Sequence, residues 1–157
     1  MSGKRRYKAA RDKRESGGFT PLPYVVLRSA GFARLGPHAV KLLMDFLAQY
    51  KGDNNGDLCA AWTLMKERGW RSRDTLNKAR RTLLDGDWIV TTRQGGRHRP
   101  TLYAVTFYAI DECGGKLDVR SSHSPPSTWR RHEPLPVLRG AFKNNSLTRG
   151  AGQNGAY

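Results

Sequence analysis

Residues 61–100 of the chain are AWTLMKERGWRSRDTLNKARRTLLDGDWIVTTRQGGRHRP. Apolar side chains recur at helical spacing in two stretches, 61–68 and 73–84, and Gly69 begins the turn between them. Ser72 suits the N-cap of the second stretch, and the run 88–93 is rich in β-forming residues. The sequence predicts two helices joined by a turn and followed by a strand. The side chains predicted to face the core are Trp62, Met65, Trp70, Leu76, Ala79 and Leu83.

A longer apolar segment, LGPHAVKLLMDFLAQY (residues 35–50), precedes this stretch. Pro37 suits a first helical turn, and apolar residues lie on nearly every side of the predicted helix, so we expect it to be the central buried helix. Leu22–Arg28 is expected to be extended because Pro21 and Pro23 oppose a helix. Asp57–Cys59 is predicted as a short strand.

TLYAVTFY (residues 101–108) is also β-rich, and with 88–93 it predicts a hairpin with the basic loop QGGRHRP. Helix, short helix, turn, helix and hairpin form the order of a winged helix-turn-helix. The predicted fold class is therefore α+β, a three-helix core plus a β-hairpin wing. A helix about 10–12 Å across fits the DNA major groove, about 12 Å wide, and a neighbouring hairpin can reach phosphates or the minor groove.

Positive charge is spread along the whole chain. The 157 residues carry 28 Lys and Arg against 13 Asp and Glu, a net charge of +15. Residues 1–20, 21–113 and 114–157 each have an excess of five basic residues. A polyanion is the simplest partner for such a chain, and nucleic acid is the commonest one.

These three segments also define the predicted domains. Residues 1–20 hold few apolar side chains and are predicted to be a disordered basic arm. Residues 21–113 are predicted to form the winged-helix domain. Residues 114–157 read as an irregular tail rich in Gly, Pro and Ser, in which Ser124–Arg131 is expected to dock or to contact a partner.

Five segments carry a family resemblance: PYVVL, AVKLLMDFLAQYKGDNNGDL, AAWTLMKERGW, SRDTLNKARRTLLDGDWIVTTRQGG and YAVTFYAIDEC. Together they resemble small winged-helix proteins of bacterial phages, plasmids and other mobile elements. The marks are NNG after the first helix, GW in the turn and the Trp-Ile pair that begins the strand after Gly86. The resemblance covers roughly residues 22–113 and implies DNA binding; some members are similar to the winged domains of plasmid replication initiators.

The candidate DNA-binding residues fall into three groups. On the second helix and its turn, Arg73 can pair with guanine and Asn77 with adenine, while Lys78 and Arg81 suit phosphate. The wing tip can enter a narrow minor groove, and the N-terminal arm can follow a groove. The alternative to DNA binding is that the helix residues form a solvated face and that the tip is an ordinary hydrophilic hairpin end. Arg80 is expected at the edge of the core. The candidates are Arg71, Ser72, Arg73, Asp74, Thr75, Asn77, Lys78 and Arg81; Arg97, His98 and Arg99; and Lys4, Arg5 and Arg6.

The sequence contains no motif for a nucleotide-binding, metal or membrane-spanning site. There is no phosphate-binding glycine loop and no dinucleotide motif. Cys59 and Cys113 are too isolated for a disulfide framework or a zinc module, and no apolar run reaches the length of a membrane span. We therefore expect no enzyme activity, cofactor, metal or membrane partner, and a reducing cytoplasm as the location.

The sequence favours a sequence-specific transcriptional regulator of a mobile element that binds double-stranded DNA. A replication accessory that uses the same domain at an origin is the first alternative. A protein-docking or RNA-associated winged-helix module is the second. A homodimer on a palindromic operator and a protein partner bound through the tail both stay open.

Overall fold

The protein is described by a computed structural model that covers residues 13–134. Within this range it is a mixed α+β domain with five α-helices and a three-stranded antiparallel sheet. Two short 3₁₀ turns, Cys113–Gly115 and Thr128–His132, follow the sheet. In chain order the elements are α1 (Tyr24–Leu27), α2 (Ala30–Arg34), α3 (Pro37–Leu47), β1 (Leu58–Cys59), α4 (Trp62–Glu67), α5 (Arg73–Asp85), β2 (Ile89–Arg93) and β3 (Leu102–Val105).

Helix α3 lies at the centre of the core, as predicted. Its Leu42, Leu43 and Phe46 are fully buried. The inward positions predicted for α4, α5 and their turn are confirmed as well, except that Trp62 is only half-buried. The buried members of that set are Met65, Trp70, Leu76, Ala79 and Leu83.

Strand β3 lies between β1 and β2 in the sheet. The hairpin and the short strand β1 are therefore confirmed, although β2 and β3 are shorter than their β-rich runs. A register shift occurs in β2 between Thr91 and Arg93. Buried Thr92 lies at this bulge, where its Oγ1 donates a 2.6 Å hydrogen bond to the carbonyl of Gly56. The bulge thus ties the hairpin to the loop before β1.

The prediction of an extended segment at Leu22–Arg28 was wrong. Helix α1 occupies Tyr24–Leu27, and Pro23 is its N-cap residue with φ −60° and ψ 136°. A proline at a helix start costs little because the N–H it lacks would have no partner inside the helix. Ser29 caps α2 in turn, since its Oγ accepts a hydrogen bond from the Phe32 amide.

The described part of the C-terminal segment packs against the domain. Trp129 is 2% exposed, and its ring stacks on that of Trp88 with the centroids 5.2 Å apart. The Glu133 carboxylate accepts hydrogen bonds from the backbone N–H groups of Ala30 and Gly31 at the start of α2. The docking expected of Ser124–Arg131 is thus observed within the molecule itself. Each helix between residues 13 and 134 is too short or too polar to span a bilayer.

Candidate nucleic-acid interface

Helix α5 buries one side and exposes the other. Leu76, Ala79 and Leu83 pack inward against the core that surrounds α3. The opposite side, which we call the reading face, is open to solvent. It consists of Arg73, Asp74, Asn77, Lys78 and Arg81, all of them exposed.

The turn before α5 is held by one buried carboxylate. Asp45 of α3 is 3% exposed, and it accepts hydrogen bonds from Lys41 Nζ at 2.9 Å, Arg68 Nε at 3.0 Å and Trp70 Nε1 at 2.7 Å. Burial of Asp45 favours its neutral form, but these hydrogen bonds outweigh the burial and lower its pKa. An ionised Asp45 therefore fixes the turn, and with it the start of α5.

The first turn of α5 is capped by its own side chain. Ser72 is exposed, and its Oγ accepts a hydrogen bond from the Thr75 amide at 3.3 Å. This bond satisfies one of the free N–H groups at the helix start. Among the predicted site residues, Ser72 thus has a structural role, Thr75 is half-buried, and Arg71 projects exposed from the turn.

Two contacts organise the basic side chains near the start of α5. The Arg73 guanidinium lies over the ring of Trp62 from α4, 5.3 Å from its centroid. Lys78 Nζ and Asp74 Oδ2 are 2.7 Å apart across one helical turn, and both side chains are 72% exposed. Such an exposed pair is weak, so both groups remain available to a ligand.

The hairpin tip is tight and basic. Gly96 and Arg99 pair through their backbone groups, so only Arg97 and His98 form the turn between them. All three predicted wing residues, Arg97, His98 and Arg99, are exposed. At the base, a Cβ on Gly95 would lie 2.5 Å from the Thr101 backbone nitrogen, so the two strands approach closely only because this residue is glycine.

The C-terminal segment braces this hairpin. The Asp118 amide donates to the Thr92 carbonyl at 2.8 Å, and the Asp118 carboxylate accepts from the Gln94 amide at 3.1 Å. Arg80 of α5 adds a link from the helix side, because its Nη1 is 3.1 Å from the Tyr103 hydroxyl on β3. The hairpin is thereby joined to α5 and to residues beyond the sheet.

Charge within the domain is concentrated on these elements. Residues 62–99 hold ten Lys and Arg against four Asp and Glu, whereas the rest of 21–113 holds four against five. The structure therefore brings the predicted basic residues of α5, its turn and the hairpin tip onto neighbouring elements. Lys4, Arg5 and Arg6 lie outside the described residues.

Sequence reasoning missed two residues that support this surface: Trp62 beneath Arg73 and Asp45 behind the turn. Arg80, which was expected at the edge of the core, is half-buried there and bonds the Tyr103 hydroxyl. Periodicity placed Trp62 on the inner side of α4, where it packs half-buried against the core, but gave no indication that its ring also lies beneath a cation from α5. A lone acid within an apolar helix was the available signal for Asp45. No protein-family model, curated protein or solved structure matches the chain.

Proposed function

We propose that the protein binds double-stranded DNA as a winged helix-turn-helix, with α5 in the major groove and the hairpin on the backbone or minor groove. The observation that carries the proposal is the uncovered reading face of α5, which has basic and amide side chains and a buried opposite side. The excess of basic residues in 62–99 supports the same surface. The biological role that fits best is a sequence-specific transcriptional regulator of a phage-like or plasmid-like element.

The dimensions of α5 suit this role. Its 13 residues span about 20 Å at 1.5 Å per residue, enough to follow several base pairs along a groove. Arg73 stands in the first turn, where a recognition helix usually meets base edges. Trp62 restricts its side chain, so less conformational entropy is lost when the guanidinium pairs with guanine.

Asn77 and Asp74 provide the other base-reading groups. An Asn side chain can pair with the N6 and N7 atoms of adenine, and a carboxylate can accept from the cytosine amino group. Lys78 offsets the charge of Asp74 in the free protein and can turn to a phosphate when DNA is bound. The reading face therefore has partners for more than one base type.

The wing supplies contacts that do not depend on base identity. Arg97 and Arg99 stand on either side of His98 at the exposed tip, and the Gly96–Arg99 backbone pairing limits the movement of the tip. Guanidinium groups on such a tip are drawn to the negative potential of a narrow minor groove. These contacts would set affinity and orientation, while α5 sets specificity.

Selection of bound fragments from random and native DNA tests the proposal. We expect an enriched motif bound at least about 10³-fold more tightly than mixed sequence. Arg73→Ala and Asn77→Ala should each cost about 1–3 kcal/mol on that motif and relax one base position. Arg28→Ala is the control for a lost charge, because Arg28 is exposed on another element, at the end of α1.

Two results would contradict this function. One is a set of Arg73 and Asn77 variants that select the same motif with unchanged affinity. The other is equal affinity for structured RNA and duplex DNA at moderate salt, which would favour an RNA-associated module.

A further inference from the structure

A cavity of about 210 Å³ lies where α5, the residues before α4 and the hairpin base meet. Its lining residues, which define the α5–wing cavity, are Ala60, Ala61, Arg80, Pro100, Thr101 and Tyr103. Arg80 contributes the only charged side chain of this lining. The cavity opens between the two elements assigned to DNA in the proposed function.

Arg80 has no acidic partner within residues 13–134. Of its guanidinium nitrogens, Nη1 bonds the neutral Tyr103 hydroxyl at 3.1 Å, while Nε is buried without a hydrogen-bond partner. A half-buried cation is normally paired, because loss of hydration disfavours an isolated charge. The arrangement therefore lacks a counter-charge that an anionic ligand could supply.

Further donors adjoin the cavity. Thr101 Oγ1 accepts a hydrogen bond from the Gly95 amide, which leaves the hydroxyl hydrogen free to donate to a ligand. Arg93 Nη2 donates to the Pro100 carbonyl at 3.3 Å, so a second guanidinium stands beside the lining residue Pro100. Arg93 has no acidic partner in the described part of the chain either.

We propose that the α5–wing cavity binds one phosphate of the DNA backbone, with Arg80 as its principal ligand. This assignment rests on the proposed function, and it changes Arg80 from a residue at the core edge to a phosphate ligand. A phosphate held between the recognition helix and the wing would fix the depth to which α5 enters the groove. The contact carries no sequence information.

A salt titration with mixed-sequence duplex DNA tests the assignment. Arg80→Gln should lower the magnitude of the slope of log K against log salt by about 0.9, the effect of one lost phosphate contact. Affinity should fall about tenfold on the selected motif and on mixed DNA alike. Arg28→Gln is the charge-matched control, because Arg28 is exposed on another part of the surface, and its slope should stay that of the wild type.

The Tyr103→Phe variant distinguishes the loss of a phosphate contact from a disturbance of the protein structure. This variant removes the same Arg80–Tyr103 hydrogen bond but keeps the guanidinium, so the wild-type slope should be retained. Equal slopes for Arg80→Gln and Arg28→Gln would overturn the proposal. An equally large loss of slope in Tyr103→Phe would also overturn it, because the effect would then come from disturbed strand structure.

An NMR titration of the unmutated protein with inorganic phosphate covers the case in which the variant does not fold or duplex DNA does not bind. The Arg80 Nε–Hε resonance should shift saturably, and that of Arg28 should not. If duplex DNA does not bind, the proposed function is refuted. A saturable shift of the Arg80 resonance would then still support a phosphate site, whose ligand would be a phosphate other than that of DNA. An unmoved Arg80 resonance would reject the site.

Discussion

Replacement of Asp45 by Asn should destabilise the protein strongly although the two side chains have nearly the same shape. The carboxylate is 3% exposed and accepts three hydrogen bonds, whereas an amide offers one oxygen and turns an N–H₂ group toward donors. An amide oxygen in the place of Oδ2 can still accept from Trp70 Nε1, but this buried hydrogen bond loses its charge assistance, which costs about 1 kcal/mol. The N–H₂ group then takes the place of Oδ1 and faces Arg68 Nε, so the Arg68 hydrogen bond is lost. Lys41 and Arg68 are 42% and 49% exposed and can regain water, so each contributes at most about 1 kcal/mol.

The expected loss is therefore about 1–3 kcal/mol in the free energy of unfolding, or roughly 4 °C in Tm for each kcal/mol. Denaturant unfolding followed by tryptophan fluorescence measures it. Asp74→Asn is the matched control, because this exposed acid has the same pairing with lysine across one helical turn, and it should change stability by less than about 0.5 kcal/mol.

The pH dependence gives an independent check. The pKa of Asp45 is lower in the folded protein than in the unfolded chain, so its contribution is fully present above about pH 4 and is lost as the pH falls through the folded-state pKa. The acid limb of wild-type stability should be flatter in Asp45→Asn. A double-mutant cycle with Trp70→Phe should give a coupling of at least about 0.5 kcal/mol. Equal stability of the Asp45 and Asp74 variants, or an additive cycle, would refute this reasoning.

Three other substitutions have defined outcomes. Trp129→Ala should cost about 3–5 kcal/mol in calorimetry because it removes a buried ring stacked on Trp88. Trp129→Phe should cost far less, since the Trp129 N–H has no hydrogen-bond partner among residues 13–134; similar losses for the two variants would contradict the packing role. Gly95→Ala should destabilise the hairpin by about 1–3 kcal/mol, because the added Cβ would clash with Thr101. Gly96→Ala should not, because there is open space around its Cβ, and equal changes in Tm would show that the close approach of Thr101 is not the reason for glycine at position 95. Asp74→Asn should bind mixed-sequence DNA more tightly and discriminate less between base pairs, as measured by fluorescence anisotropy. Weaker binding of this variant would contradict a base contact by the Asp74 carboxylate.

The local sequence pattern was enough to predict α3, the inward side of α5 and the hairpin, because these elements depend on periodicity and on turn residues that are near in sequence. It failed at α1, because a proline opposes a helix only in the helix interior and Pro23 stands at the N-cap position. The Trp88–Trp129 stack and the buried Asn55, whose amide bonds the carbonyls of Val105 and Ala109, depend on residues about 40–55 positions apart. Spacing along the chain carries no signal for such partners.

The same limit applies to the candidate interface. The exposed residues of α5 and of the hairpin tip could be predicted from the sequence, because the amphipathic pattern and the position in the hairpin determine which side faces water. The supports beneath them could not, since Trp62 meets Arg73, and Arg80 meets Tyr103, only after the chain has folded. Sequence reasoning therefore predicts the exposed side chains of the candidate interface more readily than the contacts that orient them.

The most direct measurement of DNA binding by α5 is a map of backbone amide chemical shifts as a duplex bearing the selected motif is added to the ¹⁵N-labelled protein. We predict that the largest changes fall on residues 71–81 and 96–99, with small changes in the acidic loop around Asp53 and Asp57. Changes centred on that loop or on α1, with residues 71–81 unmoved, would contradict the account.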